Sequence, residues 1–105
     1  MFDLFADWHD PPGFTGVFLR DQPVQVNTNA VWPYGTDRRS TSLAPLDVRE
    51  HGLHIDTLAR GRLIAWVRCA PGNWLAVVEV RAGSRSGSSA VTMTLWVPPN
   101  AVKPL

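Results

Sequence analysis

Cysteine and lysine are almost missing from this chain. Cys69 stands alone, which excludes an internal disulfide, and Lys103 is the single lysine among 10 basic residues. Arginine in place of lysine is a compositional habit of GC-rich bacterial coding. Excess charge is missing too. The formal net charge is +1, so bulk attraction to nucleic acid or to an anionic membrane is not expected. No apolar run reaches the length that crosses a bilayer. The acidic stretch Met1 to Asp10 has neither the positive n-region nor the long apolar run of a signal peptide, and a reducing cytoplasm is the expected compartment. There is no glycine loop with lysine to cradle a phosphate, and residues 83–87 lack the central serine of Gly-x-Ser-x-Gly.

What the chain does have is a strongly patterned last third. Hydrophobic residues make up 45% and charged residues 18%, which marks a globular chain rather than a disordered one. Its 105 residues suffice for one domain with a core that needs no metal. Arg62 to Cys69, Trp74 to Arg81 and Ala90 to Val97 read as three consecutive strands, because successive strand side chains alternate between faces. Leu63, Ala65, Val67 and Cys69 form one apolar set. Trp74, Ala76, Val78 and Val80 form the next, and Val91, Met93, Leu95 and Val97 the third. Pairing Cys69 with Trp74 across the turn Ala70 to Asn73 sets Val67 against Ala76, Ala65 against Val78 and Leu63 against Val80. A one-residue slip would mix the faces. Gly83 to Ser89 is then a polar connecting loop.

The opposite face of this predicted sheet carries Ile64, Trp66, Arg68, Leu75, Val77 and Trp96. A wet face should be polar, whereas this one is half apolar and holds two tryptophans. Either the rest of the chain covers it, or it is a partner surface rimmed by arginine. Residues 1–13, aromatic and acidic and then Pro-Pro-Gly, read as an amino-terminal arm. Phe2, Leu4, Phe5 or Trp8 would dock it on the domain formed by residues 14–105.

Taken in order, Phe14 to Arg20 predicts a first strand, Asp21-Gln22-Pro23 a turn, and Val24 to Val26 a short strand. Residues 27–45 are polar around Trp32, Pro33 and Tyr34, which either line a groove or plug one end of the domain. Arg38 and Arg39 read as a solvated pair. Leu46 to Thr57 predicts a hairpin with Gly52 in its turn and Val48 facing Ile55. Short strands punctuated by glycine and proline indicate an all-β barrel or sandwich.

Gly72-Asn-Trp-Leu-Ala76 resembles the tryptophan-bearing strand start of SH3-type barrels, and Val97-Pro-Pro-Asn-Ala-Val102 resembles their closing Pro-Ser-Asn-Tyr-Val element. The resemblance covers residues 62–105. It implies a small single-domain SH3-like barrel of about five to seven short antiparallel strands, with Trp74, Pro98 and Asn100 on a ligand groove. Ala101 stands where the family has a tyrosine, and alternation places Trp74 with the core set instead. Separately, Asp3-Leu-Phe5 resembles the end of the peptide that bacterial sliding clamps bind, without its leading glutamine.

Chemistry has few footholds. His51 and His54 with Glu50, and Asp7 with His9 and Asp10, match no zinc spacing. Cys69 falls on the apolar side of a predicted strand, where cysteines are inert. Asp47 and Asp56 would face each other across the predicted hairpin as a solvated pair rather than a catalytic one. No catalytic, cofactor-binding or metal residue is expected. The expected function is a non-enzymatic protein-interaction or assembly module, with a protein partner or a second copy. The alternative is single-stranded nucleic-acid binding through Arg62, Arg68, Trp66 and Trp96; Glu79 on the same face and the near-neutral charge stand against it.

Overall fold

The computed structural model describes residues 3–33 and 44–105. Among them, six antiparallel strands form one sheet: β1 (Val17–Asn27), β2 (Leu53–His54), β3 (Leu58–Arg68), β4 (Trp74–Ser84), β5 (Ala90–Val97) and β6 (Val102–Pro104). One short helix, α1 (Leu46–His51), precedes β2, and single 3₁₀ turns occupy Thr28–Ala30 and Pro99–Ala101. The strand order is β2-β4-β3-β1-β6, with β5 on the other edge of β4. The fold is all-β, as the alternation predicts, and the three carboxyl-terminal strands lie where the pattern sets them.

The register is different from the expected one, for two reasons. The turn after β3 is longer: the Cys69 N–H donates to the Asn73 carbonyl at 2.8 Å, with Gly72 at φ +101°. Trp74 therefore pairs with Arg68, Leu75 with Val67 and Ala76 with Trp66. Cys69 lies beyond the strand end, half-buried rather than on an apolar strand face. The second reason is a bend. Between matched positions the chain advances from Leu19 to Gln22 on β1, from Leu63 to Ala65 on β3 and from Val77 to Val78 on β4. The odd steps on either side of an even one invert β3 relative to both neighbours, as a bulge does.

That inversion gives the sheet two apolar faces. Before the bend, Ala59 and Leu63 join Val24, Val26, Ala76, Val78, Val80, Leu95, Val97 and Ala101 in the main core. After it, Ala65 and Val67 point the other way and join Val77 in a second cluster. Val26, Val77, Val78 and Val97 are each 0% exposed. Burying a valine side chain contributes on the order of 1.5–2 kcal/mol, and β-branched side chains suit the pleated surface.

The amino-terminal arm covers the second cluster. Phe5 packs on it beside Val17 and Ile64. A carboxylate holds the arm's return: Asp10 accepts from the Trp8 indole N–H at 2.7 Å and from the Gly16 amide at 3.0 Å. The Gly16 carbonyl then accepts from the Arg68 amide at 2.8 Å, tying the arm's end to β3. Phe2 lies outside the described residues.

Three expected elements come out otherwise. Asp21-Gln22-Pro23 is not a turn; it is the bulged middle of one continuous β1, where Asp21 pairs with Arg62. Leu46–His51 is helical, not the first arm of a hairpin. Pro45 precedes it, and Asp47 in its first turn complements the helix dipole. Gly52 ends this helix at φ −75°, not in a positive-φ turn. It is needed there because a Cβ would stand 2.6 Å from the Val48 carbonyl oxygen. Val48 is consequently exposed while Ile55 is buried. Asp47 and Asp56 do not face each other: Asp47 accepts from the Val48 amide, and Asp56 meets His54 at 3.1 Å. In the 83–89 connection, the Ser86 amide donates to the Glu50 carbonyl at the end of α1.

Candidate functional site

Three strands supply an aromatic cluster on the core side of the sheet. Phe18 on β1 pairs with Trp66 on β3, and Trp66 pairs in turn with Ala76 on β4. Trp74 enters β4 opposite Arg68. Its ring reaches Phe18, centroid to centroid 5.5 Å at 50°, a tilted geometry that aromatic pairs favour. With Arg20 and Pro99, these rings line an open groove of about 380 Å³. Trp66 forms its floor by packing on the main core. Pro99 arrives from the 3₁₀ turn that leads into β6.

The groove is apolar with Arg20 among its lining residues, and Arg68 stands over Trp74 while lining a neighbouring depression with Trp8 and Phe14. The Arg20 guanidinium lies 5.9 Å from the Phe18 ring centre, and that of Arg68 lies 5.2 Å from Trp74. Such contacts are worth about 0.5–1 kcal/mol at exposed sites. They hold two cationic side chains close to the rings that line the groove. Among the described residues, no carboxylate lines it.

The six residues expected on one partner face divide between two faces. Trp66 belongs to the groove and Arg68 stands beside it. Val77 is fully buried in the second cluster, and Ile64 packs at that cluster's edge. Leu75 is half-buried opposite Val67. Trp96 is 44% exposed and meets Phe5, centroids 6.0 Å apart. Trp66 and Trp96 thus do not share a surface, because Trp96 pairs with Val77 on the reverse side. Of Asp3-Leu-Phe5, Phe5 is held in the fold's own packing while Leu4 is 39% exposed.

Alternation alone did not find Phe18, Arg20, Trp74 and Pro99 as a set. Trp74 was legible through its resemblance to a groove tryptophan; Pro99 sits beside the two positions, Pro98 and Asn100, which that resemblance singled out. Trp32 packs against the main core, at the plugging end of the two alternatives. Tyr34, Arg38 and Arg39 lie outside the described residues. His54 and Asp56 border a second, more polar depression. Among the described residues no group of three His, Cys, Asp or Glu converges as metal ligands would, and no helix is long and apolar enough to cross a membrane.

No family model, curated protein or solved structure matches the chain.

Proposed function

We propose that this is a non-enzymatic protein-interaction module of SH3-like architecture. It binds a short apolar segment carrying carboxylates in the groove between Phe18, Trp66, Trp74 and Pro99. The observation that carries the proposal is the pair of guanidiniums, Arg20 and Arg68, beside an otherwise apolar aromatic floor. A carboxylate next to an aliphatic or aromatic side chain complements that arrangement, and rigid aromatics with arginine are the usual anchors of interfaces. The architecture is supported by the pairing of β6 with β1. A 3₁₀ turn immediately before β6 and a tryptophan at the start of β4 support it further. Ala101 is buried, so the groove's aromatic lining comes from Phe18, Trp66 and Trp74. A bacterial, cytoplasmic setting belongs to the same proposal, supported by the arginine bias and the unpaired Cys69.

The test is a nuclear magnetic resonance titration of the full chain. The probes are an array of short peptides mixing leucine or phenylalanine with aspartate, and oligothymidylate. The expected result is that acidic apolar peptides shift the Trp66 and Trp74 indole signals. Binding should be lost in Trp74→Ala and kept in Trp96→Ala. Oligothymidylate binding that falls steeply with salt, with no peptide bound, would replace the proposal with single-strand recognition.

A further inference from the structure

We propose that β5 is a self-pairing edge through which two copies of this chain join their sheets into one. The strand pairs with β4 on one side, from Ala90 opposite Gly83 to Val97 opposite Ala76, without a bulge. Among the described residues, no strand pairs with its other side. Alternate residues of such an edge present unpaired backbone N–H and C=O groups, which template a further strand.

Exposed edges are normally blunted by charge, proline, shortness or bulges. The two ends of this sheet differ in that respect. At the other edge, β6 is only three residues long and contains Lys103 and Pro104. Along β4, β2 is two residues long and follows directly on α1 and Gly52. By contrast, β5 is eight residues long, Ala-Val-Thr-Met-Thr-Leu-Trp-Val, with no charged residue and no proline. Valine and threonine favour extended backbone. Among the described residues, β5 thus lacks the protection that β6 and β2 carry.

The composition also selects the occupant. A two-fold axis normal to the sheet pairs the strand with itself, antiparallel and with faces preserved. Centred on Thr94, it sets Thr94 against its own copy, Thr92 against Trp96, Met93 against Leu95, and Val91 against Val97. Such an axis brings residues near their own copies, so a charge on the strand would oppose association; β5 has none. The outer face becomes a ladder of threonine and tryptophan, pairs that stabilise sheets. It also draws the exposed Trp96 and Val91 (44% and 49% exposed) toward the partner copy. The groove residues Phe18, Arg20, Trp66 and Trp74 take no part, so this assembly is independent of the peptide-binding proposal.

The experiment combines sedimentation equilibrium with cysteine cross-linking on the full chain. Wild type is expected to sediment as a dimer at high concentration. Thr94→Lys, a substitution at an exposed position, is expected to sediment as a monomer while keeping its hydrogen-exchange core and its peptide binding. In a Cys69→Ser background, Thr94→Cys is expected to form a disulfide-linked dimer on mild oxidation. Directly opposed antiparallel residues have Cα atoms about 5 Å apart, within disulfide reach. Arg85→Cys in the same background serves as the unreactive control. A wild type that stays monomeric throughout overturns the inference. So does a dimer that survives Thr94→Lys, or one abolished by Trp74→Ala, which would place assembly in the groove.

Discussion

Trp66 and Trp96 stand on opposite faces of one sheet. The first pairs with Ala76 and rests on the main core; the second pairs with Val77 and rests on Phe5. Their two substitutions should therefore behave differently. Trp66→Ser is expected to lower unfolding stability by about 3 kcal/mol, the range for truncating a large ring packed on a core. Trp96→Ser should cost about 1 kcal/mol, because Trp96 is nearly half exposed and gives up mainly a tilted aromatic contact. Urea denaturation of the two variants measures the difference. Equal losses would contradict the placement.

Leu63 is 2% exposed and lies at the bend, the last paired residue of β3 before the inversion. Leu63→Ala should cost about 3 kcal/mol, as lost burial plus a residual cavity. Calorimetry should show a correspondingly lower Tm with the cooperative transition preserved.

Asp10 is the hook of the arm. Asp10→Ala leaves the Trp8 indole N–H and the Gly16 amide without their acceptor. The expected loss is about 1–2 kcal/mol. The sharper readout is hydrogen exchange, which should quicken at Gly16 while amides in the middle of β4 keep their protection.

Gly52→Ala sets a methyl group against the Val48 carbonyl at the end of α1. Backbone, not a flexible side chain, is in the way, so α1 and β2 must shift. A cost of about 1–2 kcal/mol is expected, confined to residues around 46–54 when followed by amide chemical shifts.

Arg68→Ala removes one cation from the groove's side. Stability should change by less than about 1 kcal/mol. Binding of the acidic apolar peptides should weaken and lose part of its salt dependence. A variant that binds as wild type would detach the arginine from recognition.

The strand segments were legible because alternation and turn residues act locally. Ala90 to Val97 and Trp74 onward begin where Pro71-Gly72-Asn73 and the serine-rich connection release them. The helix at Leu46–His51 was not, because six residues supply too little period to separate a helix from a short strand. The middle of β1 was misleading for a related reason. Asp21-Gln22-Pro23 has turn composition, yet pairing with Arg62 on β3 holds it extended. In the candidate site, Trp66 and Arg68 could be picked from sequence as aromatic and cationic neighbours. That Phe18 joins them, with the Trp74 suggested by resemblance, could not.

By itself, the order of residues determined that this chain would be all-β, that its last third would be three paired strands, and that the face opposite the valines would be half apolar. Side-chain period and turn chemistry reach only a few residues and were enough for that. Tertiary structure alone decided which face the Trp66 indole occupies. The bend at Leu63–Ala65 inverts β3 against two neighbours at once, and nothing within β3 encodes it. Its cause lies in partners brought from Leu19–Gln22 and Val77–Val78, and in an arm whose Phe5 covers the side that the inversion leaves apolar.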